Sequence, residues 1–168
     1  MEDRGFSLVE LLVVISIMGL LIGGVTIGLN LMSQREDLNL AGGKLVTLVR
    51  KVRTMAINRN LPAGVSSGVN LLKINIQTDG DYEVTAVGAG GANLGTYESG
   101  SIKMPGLEVT VGGTIKFQVG SGRLMKGADG VETVVAVGET AAVRLVMARQ
   151  EDEARVVWVN QEGVVDER

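Results

Sequence analysis

From Leu11 to Gln34 there are 24 consecutive residues without a charge, mostly Leu, Val, Ile and Gly. As a helix this run reaches roughly 36 Å, against a bilayer hydrocarbon core of about 30 Å. Beyond Arg35 the pattern changes. Leu38, Ala41, Leu45, Leu48, Val52 and Met55 recur at spacings of three and four, with polar side chains on the other faces, which predicts an amphipathic helix. Pro62 disfavours helical geometry at Leu61, so the helix is expected to stop near 58–60. The apolar stripe needs a surface to cover it, supplied by the chain's own sheet, by neighbouring subunits, or by both.

From Ala63 onward the periodicity becomes that of strands. Leu72–Gln77 alternates, Gln77–Asp81 reads as a hairpin loop and Tyr82–Val87 as the return strand. Further strands are expected at Leu107–Val111, Thr114–Val119, Glu132–Val137, Ala142–Met147 and Ala154–Asn160, separated by glycine-bearing turns. The glycine-rich stretch Gly88–Ser101 reads as a flexible connection. The fold class is therefore α+β, a long N-terminal helix packed on an antiparallel β-sheet domain.

Composition narrows the chemistry. With 168 residues the chain has room for one domain plus an appendage. It contains no cysteine and no histidine, which removes thiolate nucleophiles, disulfides, imidazole bases and the usual zinc ligands. A net charge of −3 offers no field to gather nucleic acid. Gly42-Gly43-Lys44 and Gly88–Gly91 do not complete a phosphate-binding pattern, since Leu45 follows the lysine and the third glycine of the run is misplaced. No enzyme and no cofactor are expected. Asp79, Asp81, Asp129 and Glu132 sit at turns and are read as turn residues, not as a metal site.

An ordinary secretory signal does not explain the N-terminus. Met1–Gly5 is more acidic than basic, and no small-residue cleavage boundary follows the apolar run. Glu10, at the start of that run, would cost a few kcal/mol in lipid (order of magnitude) unless paired, so it is a functional candidate. Gly19, Gly23, Gly24 and Gly28 form overlapping small-xxx-small patterns that suit close helix packing or local unwinding.

The segment Arg4-Gly5-Phe6-Ser7-Leu8-Val9-Glu10, followed by Leu-Leu-Val-Val-Ile, resembles the leader of type IV pilins and type II secretion pseudopilins. The resemblance implies that prepilin peptidase cuts between Gly5 and Phe6 and methylates Phe6. It also implies that Glu10 neutralises the terminal amine of a neighbouring subunit during assembly; pairing relieves two charges that are each costly in lipid. The implied organisation is a leader at 1–5, a transmembrane part of the helix at 6–34, an amphipathic part at 35–61 and a periplasmic β-rich domain at 62–168.

Leu48–Pro62 and the closing Arg155–Val165 are similar to the GspH and FimT group of minor subunits. That similarity implies a minor pseudopilin of type II secretion, in or at the tip of a periplasmic pseudopilus. The alternative is a FimT/FimU-like minor pilin of a type IV pilus, or a DNA-uptake pseudopilin. The implied partners are prepilin peptidase, other pilin or pseudopilin subunits, an inner-membrane assembly platform and the bilayer.

Overall fold

The computed structural model describes the backbone of residues 7–61, 68–104, 107–111, 113–127, 133–134, 141–147, 150–160 and 165–167. Within these, side chains are described except at 24–31, 34, 107–108, 110–111, 133–134, 141–147, 150–154 and 165–167. The chain divides into two units, Met1–Glu36 and Asp37–Arg168.

One helix, α1, runs Leu8–Asn58 over 51 residues. In the first unit every described large apolar side chain from Leu8 to Ile22 is exposed. A helix that is apolar all round and uncovered by its own chain calls for an apolar surrounding. Ser16 hides its hydroxyl by donating to the Leu12 carbonyl at 2.8 Å, so it adds little polarity to that surface.

In the second unit α1 is amphipathic. Leu38, Ala41, Leu45, Leu48, Val49, Val52 and Ala56 are buried, one stripe of a helix with 3.6 residues per turn. Val49 and Ala56 join the expected stripe, while Met55 is only half-buried.

The stripe lies on a sheet of order β3-β2-β1-β5-β6-β7, formed by β1 (Val69–Ile76), β2 (Asp81–Gly88), β3 (Asn93–Ser101), β5 (Thr114–Gln118), β6 (Leu124–Lys126) and β7 (Thr133–Val134). All its pairings are antiparallel. In register, Leu72 stands between Ala86 and Phe117, and Ile74 between Val84 and Ile115. With Leu124 these fully buried residues form the floor under α1.

A second sheet, of order β10-β9-β8-β4, contains β4 (Leu107–Val111), β8 (Ala141–Met147), β9 (Gln150–Val159) and β10 (Val165–Glu167). Val109, Val157 and Val159 belong to the same core as α1. Arg155 of β9 donates to the Asn39 side-chain carbonyl on α1. The β1–β2 hairpin ties the second sheet to the first, since Thr78 O accepts from the Val109 amide of β4 at 3.2 Å; Gly80 O accepts from the Ile102 amide just past β3 at 2.9 Å. Gly80 has φ +88°, a turn conformation that favours glycine.

Most expected strands lie within a few residues of the observed ones. The exception is Gly88–Ser101, expected as a flexible connection. It forms a short 3-10 turn at Ala89–Gly91 and then the edge strand β3. Its glycines and polar residues carry little strand propensity; pairing with β2, with two register shifts, makes the strand.

Candidate functional site

Gly5 and Phe6, the residues expected to flank the cleavage site, lie outside the described residues, as do the side-chain surroundings of Gly24 and Gly28. Glu10 lies in the first turn of α1, where the unpaired amides of a helix N-terminus favour a negative charge. It is exposed, in the midst of the exposed apolar surface from Leu8 to Ile22. A Cβ built on Gly19 or Gly23 would meet nothing within 4 Å, so both glycines leave open surface on the helix. Among the described residues no helix is long and apolar enough to cross a membrane; the expected span 6–34 includes residues outside that description.

At its other end α1 is closed by tertiary contacts. Arg59 adopts φ +51° and the Asn60 amide donates back to Met55 O at 3.1 Å, the backward bond of a helix that ends on a left-handed residue. The β5–β6 turn completes the cap, with the Gly120 amide donating to Ala56 O at 2.7 Å. Gly122, at φ +64°, lies so close that a Cβ there would run into the Ile57 side chain. Tyr97 of β3 adds a hydroxyl donated to Asn60 O at 2.9 Å.

A polar clasp holds the exposed side of the helix to the sheet edge. Lys51 donates to Glu98 Oε2 at 2.6 Å, and the Tyr82 hydroxyl donates to Glu98 Oε1 at 3.5 Å. The hydrogen bond that Lys51 donates to Glu98 is the main cause that raises the Lys51 ammonium above its ordinary 10.5. Burial, with the Glu98 charge behind it, raises Tyr82 above 10.0. Gly100 lies under the Tyr82 ring, where a Cβ would meet the hydroxyl oxygen at 2.6 Å. No sequence signal marked this clasp, because Glu98 belongs to the strand that local pattern missed.

Two clefts flank these elements. A polar one of about 730 Å³ lies where Arg59, Asn70 and Gln118 meet Gly88–Gly90; its rim at Leu61 and Gly68 borders residues outside the description. A groove of about 590 Å³ runs between α1 and the β2–β3 edge, past Leu40, Gly43 and Thr47 to Ile102. Asp79, one of the turn acids, accepts from the Asp81 amide at 3.1 Å, while Asp129 and Glu132 lie outside the described residues. Among the described residues no group of three or more acidic side chains is placed to hold a metal ion.

The prokaryotic N-terminal methylation motif matches residues 1–26. No curated protein sequence matches the chain. Among solved structures, the chain is similar to the type IV minor pilin FimU of Pseudomonas aeruginosa strain PAO1. In its P21 crystal form the TM-score is 0.54 at 13% identity, covering 82% of this chain and 92% of that one. In its P65 form the TM-score is 0.49, also at 13% identity, with 78% and 92% covered. At this identity the likeness is one of fold. The methylation motif and the minor-pilin fold together support the resemblance to the type IV pilin superfamily seen in the leader.

Proposed function

We propose that this chain is a minor subunit of a type IV filament, cleaved after Gly5, methylated on Phe6 and anchored in the inner membrane by the first part of α1. The observation that carries the reading is the methylation motif at the head of a single 51-residue helix. The first part of that helix exposes apolar side chains all round, and its second part buries one apolar stripe against a β-rich domain. Lipid before assembly and neighbouring helices after it supply the apolar surrounding that Leu8–Ile22 lacks. Glu10 then pairs with the Phe6 amine of a neighbour, which sets axial register because neither charge is stable alone in lipid. Prepilin peptidase, an inner-membrane platform and other pilin-like subunits are the partners, and the β-rich domain faces the periplasm.

Of the machines such a subunit serves, the similarity of Leu48–Pro62 and Arg155–Val165 to the GspH and FimT group supports a type II secretion pseudopilus. The fold likeness to a protein described as a type IV minor pilin supports the pilus reading. Intact mass of the membrane-extracted protein tests the shared part: loss of Met1–Gly5 with one added methyl is expected, and an unprocessed or differently trimmed terminus overturns it. Gene deletion separates the machines. Lost export of a secreted enzyme with normal surface pili indicates secretion, and the reverse indicates a pilus.

A further inference from the structure

The strand β3 stands at the end of its sheet, next to β2, so its other edge meets no described strand. The ladder shows which backbone groups lie on that edge. The Ile102 amide donates to Gly80 O at 2.9 Å, and the same register continues through Asp81↔Ser101, Tyr82↔Gly100 and Glu83↔Ser99. Hydrogen-bonded and non-hydrogen-bonded pairs alternate along an antiparallel ladder. Ser99 and Ser101 therefore turn their amides and carbonyls away from β2, and both residues are exposed.

Open edges are normally guarded by lysine, proline or bulges. β3 contains neither lysine nor proline. Its two register shifts pass over Tyr97 and Leu94, which leaves Glu98–Ser101 as a regular stretch with one side free.

That stretch also borders the groove of about 590 Å³ beside α1. On the helix wall Leu40 is 54% exposed. Gly43 stands beside it, and a Cβ there would meet nothing within 4 Å. A glycine in an exposed helix interior weakens the helix; here it widens the groove. Lys44 lines the same wall, exposed and without an ion pair to any described residue, whereas Lys51 is neutralised by Glu98. The groove thus has free backbone groups on one wall, with an apolar patch and one unneutralised positive charge on the other.

We propose that an extended segment of a non-identical subunit adds to β3 as a further strand, with a carboxylate against Lys44 and an aliphatic side chain over Leu40 and Gly43. Leu40 and Lys44 stand four residues apart on α1, about 6 Å along its axis. Side chains on one face of a strand recur every second residue, about 7 Å apart, so a strand running along the groove meets both with an acidic-x-aliphatic pattern. Backbone pairing supplies the affinity of such an addition, and the side-chain contacts supply its selection. Lys44 selects against basic segments. The inference rests on the reading of the chain as a minor filament subunit, whose neighbours are different chains.

Proline is tolerated on an edge strand where the amide faces solvent, so Ser99→Pro should remove one outward donor and leave the thermal midpoint of the domain unchanged. A collapsed midpoint would place that amide against β2 and overturn the proposal. For the contact itself, a genetically encoded diazirine amino acid replaces Thr47, which lines the groove, and is photoactivated in the native host; cross-linked peptides are mapped by mass spectrometry. The expected link is to a segment of a different pilin-like subunit that contains the acidic-x-aliphatic pattern, and Ser99→Pro and Lys44→Glu each lower its yield about tenfold. A yield indifferent to either variant overturns the proposal. So does a link to a second copy of this chain, a link to lipid, or no link in correctly processed protein. Intact mass on the same samples reports the filament reading separately. Processed, methylated protein without the link leaves that reading standing and the docking fallen, and a variant-sensitive link in unprocessed protein does the reverse.

Discussion

Lys51, Glu98 and Tyr82 show how single residues join elements that the chain order keeps apart. The pKa of Lys51 is raised in the folded state, chiefly by its hydrogen bond to Glu98. Its stabilising contribution is complete below the unfolded lysine value of 10.5 and is lost as pH rises through the higher folded value. Tyr82, raised chiefly by burial, keeps its proton in the folded chain beyond 10.0, where the unfolded chain releases it. Stability therefore falls on the same alkaline side. Thermal unfolding followed from about pH 9 to about pH 11 should show a declining midpoint, and Glu98→Gln should flatten the decline. An equal decline in the variant would remove Glu98 from the account. Glu10 carries a different expectation. Glu10→Leu should leave membrane insertion and cleavage unchanged while removing the protein from sheared filaments, because it deletes only the charge proposed to pair with a neighbour's amine. Normal incorporation of the variant would falsify that role.

At the scale of elements, one glycine of α1 contrasts with one glycine of the β5–β6 turn. Gly43 has open space and sits within a helix, so Gly43→Ala should stabilise the domain by about 0.5–1 kcal/mol. Gly122 has φ +64° and abuts Ile57, so Gly122→Ala should destabilise by about 1–3 kcal/mol through strain and displacement of the helix end. Denaturant midpoints of the two variants should move in opposite directions. Element type was readable where the pattern was regular: the helix, the β1–β2 hairpin with its Asp79-Gly80 turn, and the alternating strands. It was not readable in β3, whose Asn93-Leu94-Gly95-Thr96 stretch has no apolar alternation and becomes a strand only because β2 offers an edge to pair with.

At the scale of the molecule, the α1 stripe and both sheets share one core. Leu45 is fully buried on the stripe, and Leu45→Ala should cost about 2–5 kcal/mol from lost burial and the cavity left behind. Because the helix, β1 and β9 all contribute to that core, the loss should appear as one cooperative transition by both far-ultraviolet dichroism and Trp158 fluorescence. Two separate transitions would show that the sheets unfold independently. The first part of α1 makes no such contribution in the isolated chain, since its described apolar side chains are exposed. Its energetics belong to the environment that covers it.

Local pattern by itself determined the helix, its change of character near Arg35, most strand positions, and the methylation motif that matches residues 1–26. These are properties of neighbouring residues: periodicity, an uncharged run, a short motif. Tertiary structure alone decided the division into two sheets, the β3 edge, the capping of α1 by the Gly120–Gly122 turn, and the Lys51–Glu98–Tyr82 clasp. Each depends on residues far apart in the chain meeting across a shared core. Lys51 and Glu98 are 47 positions apart, a separation at which no local spacing rule constrains contact.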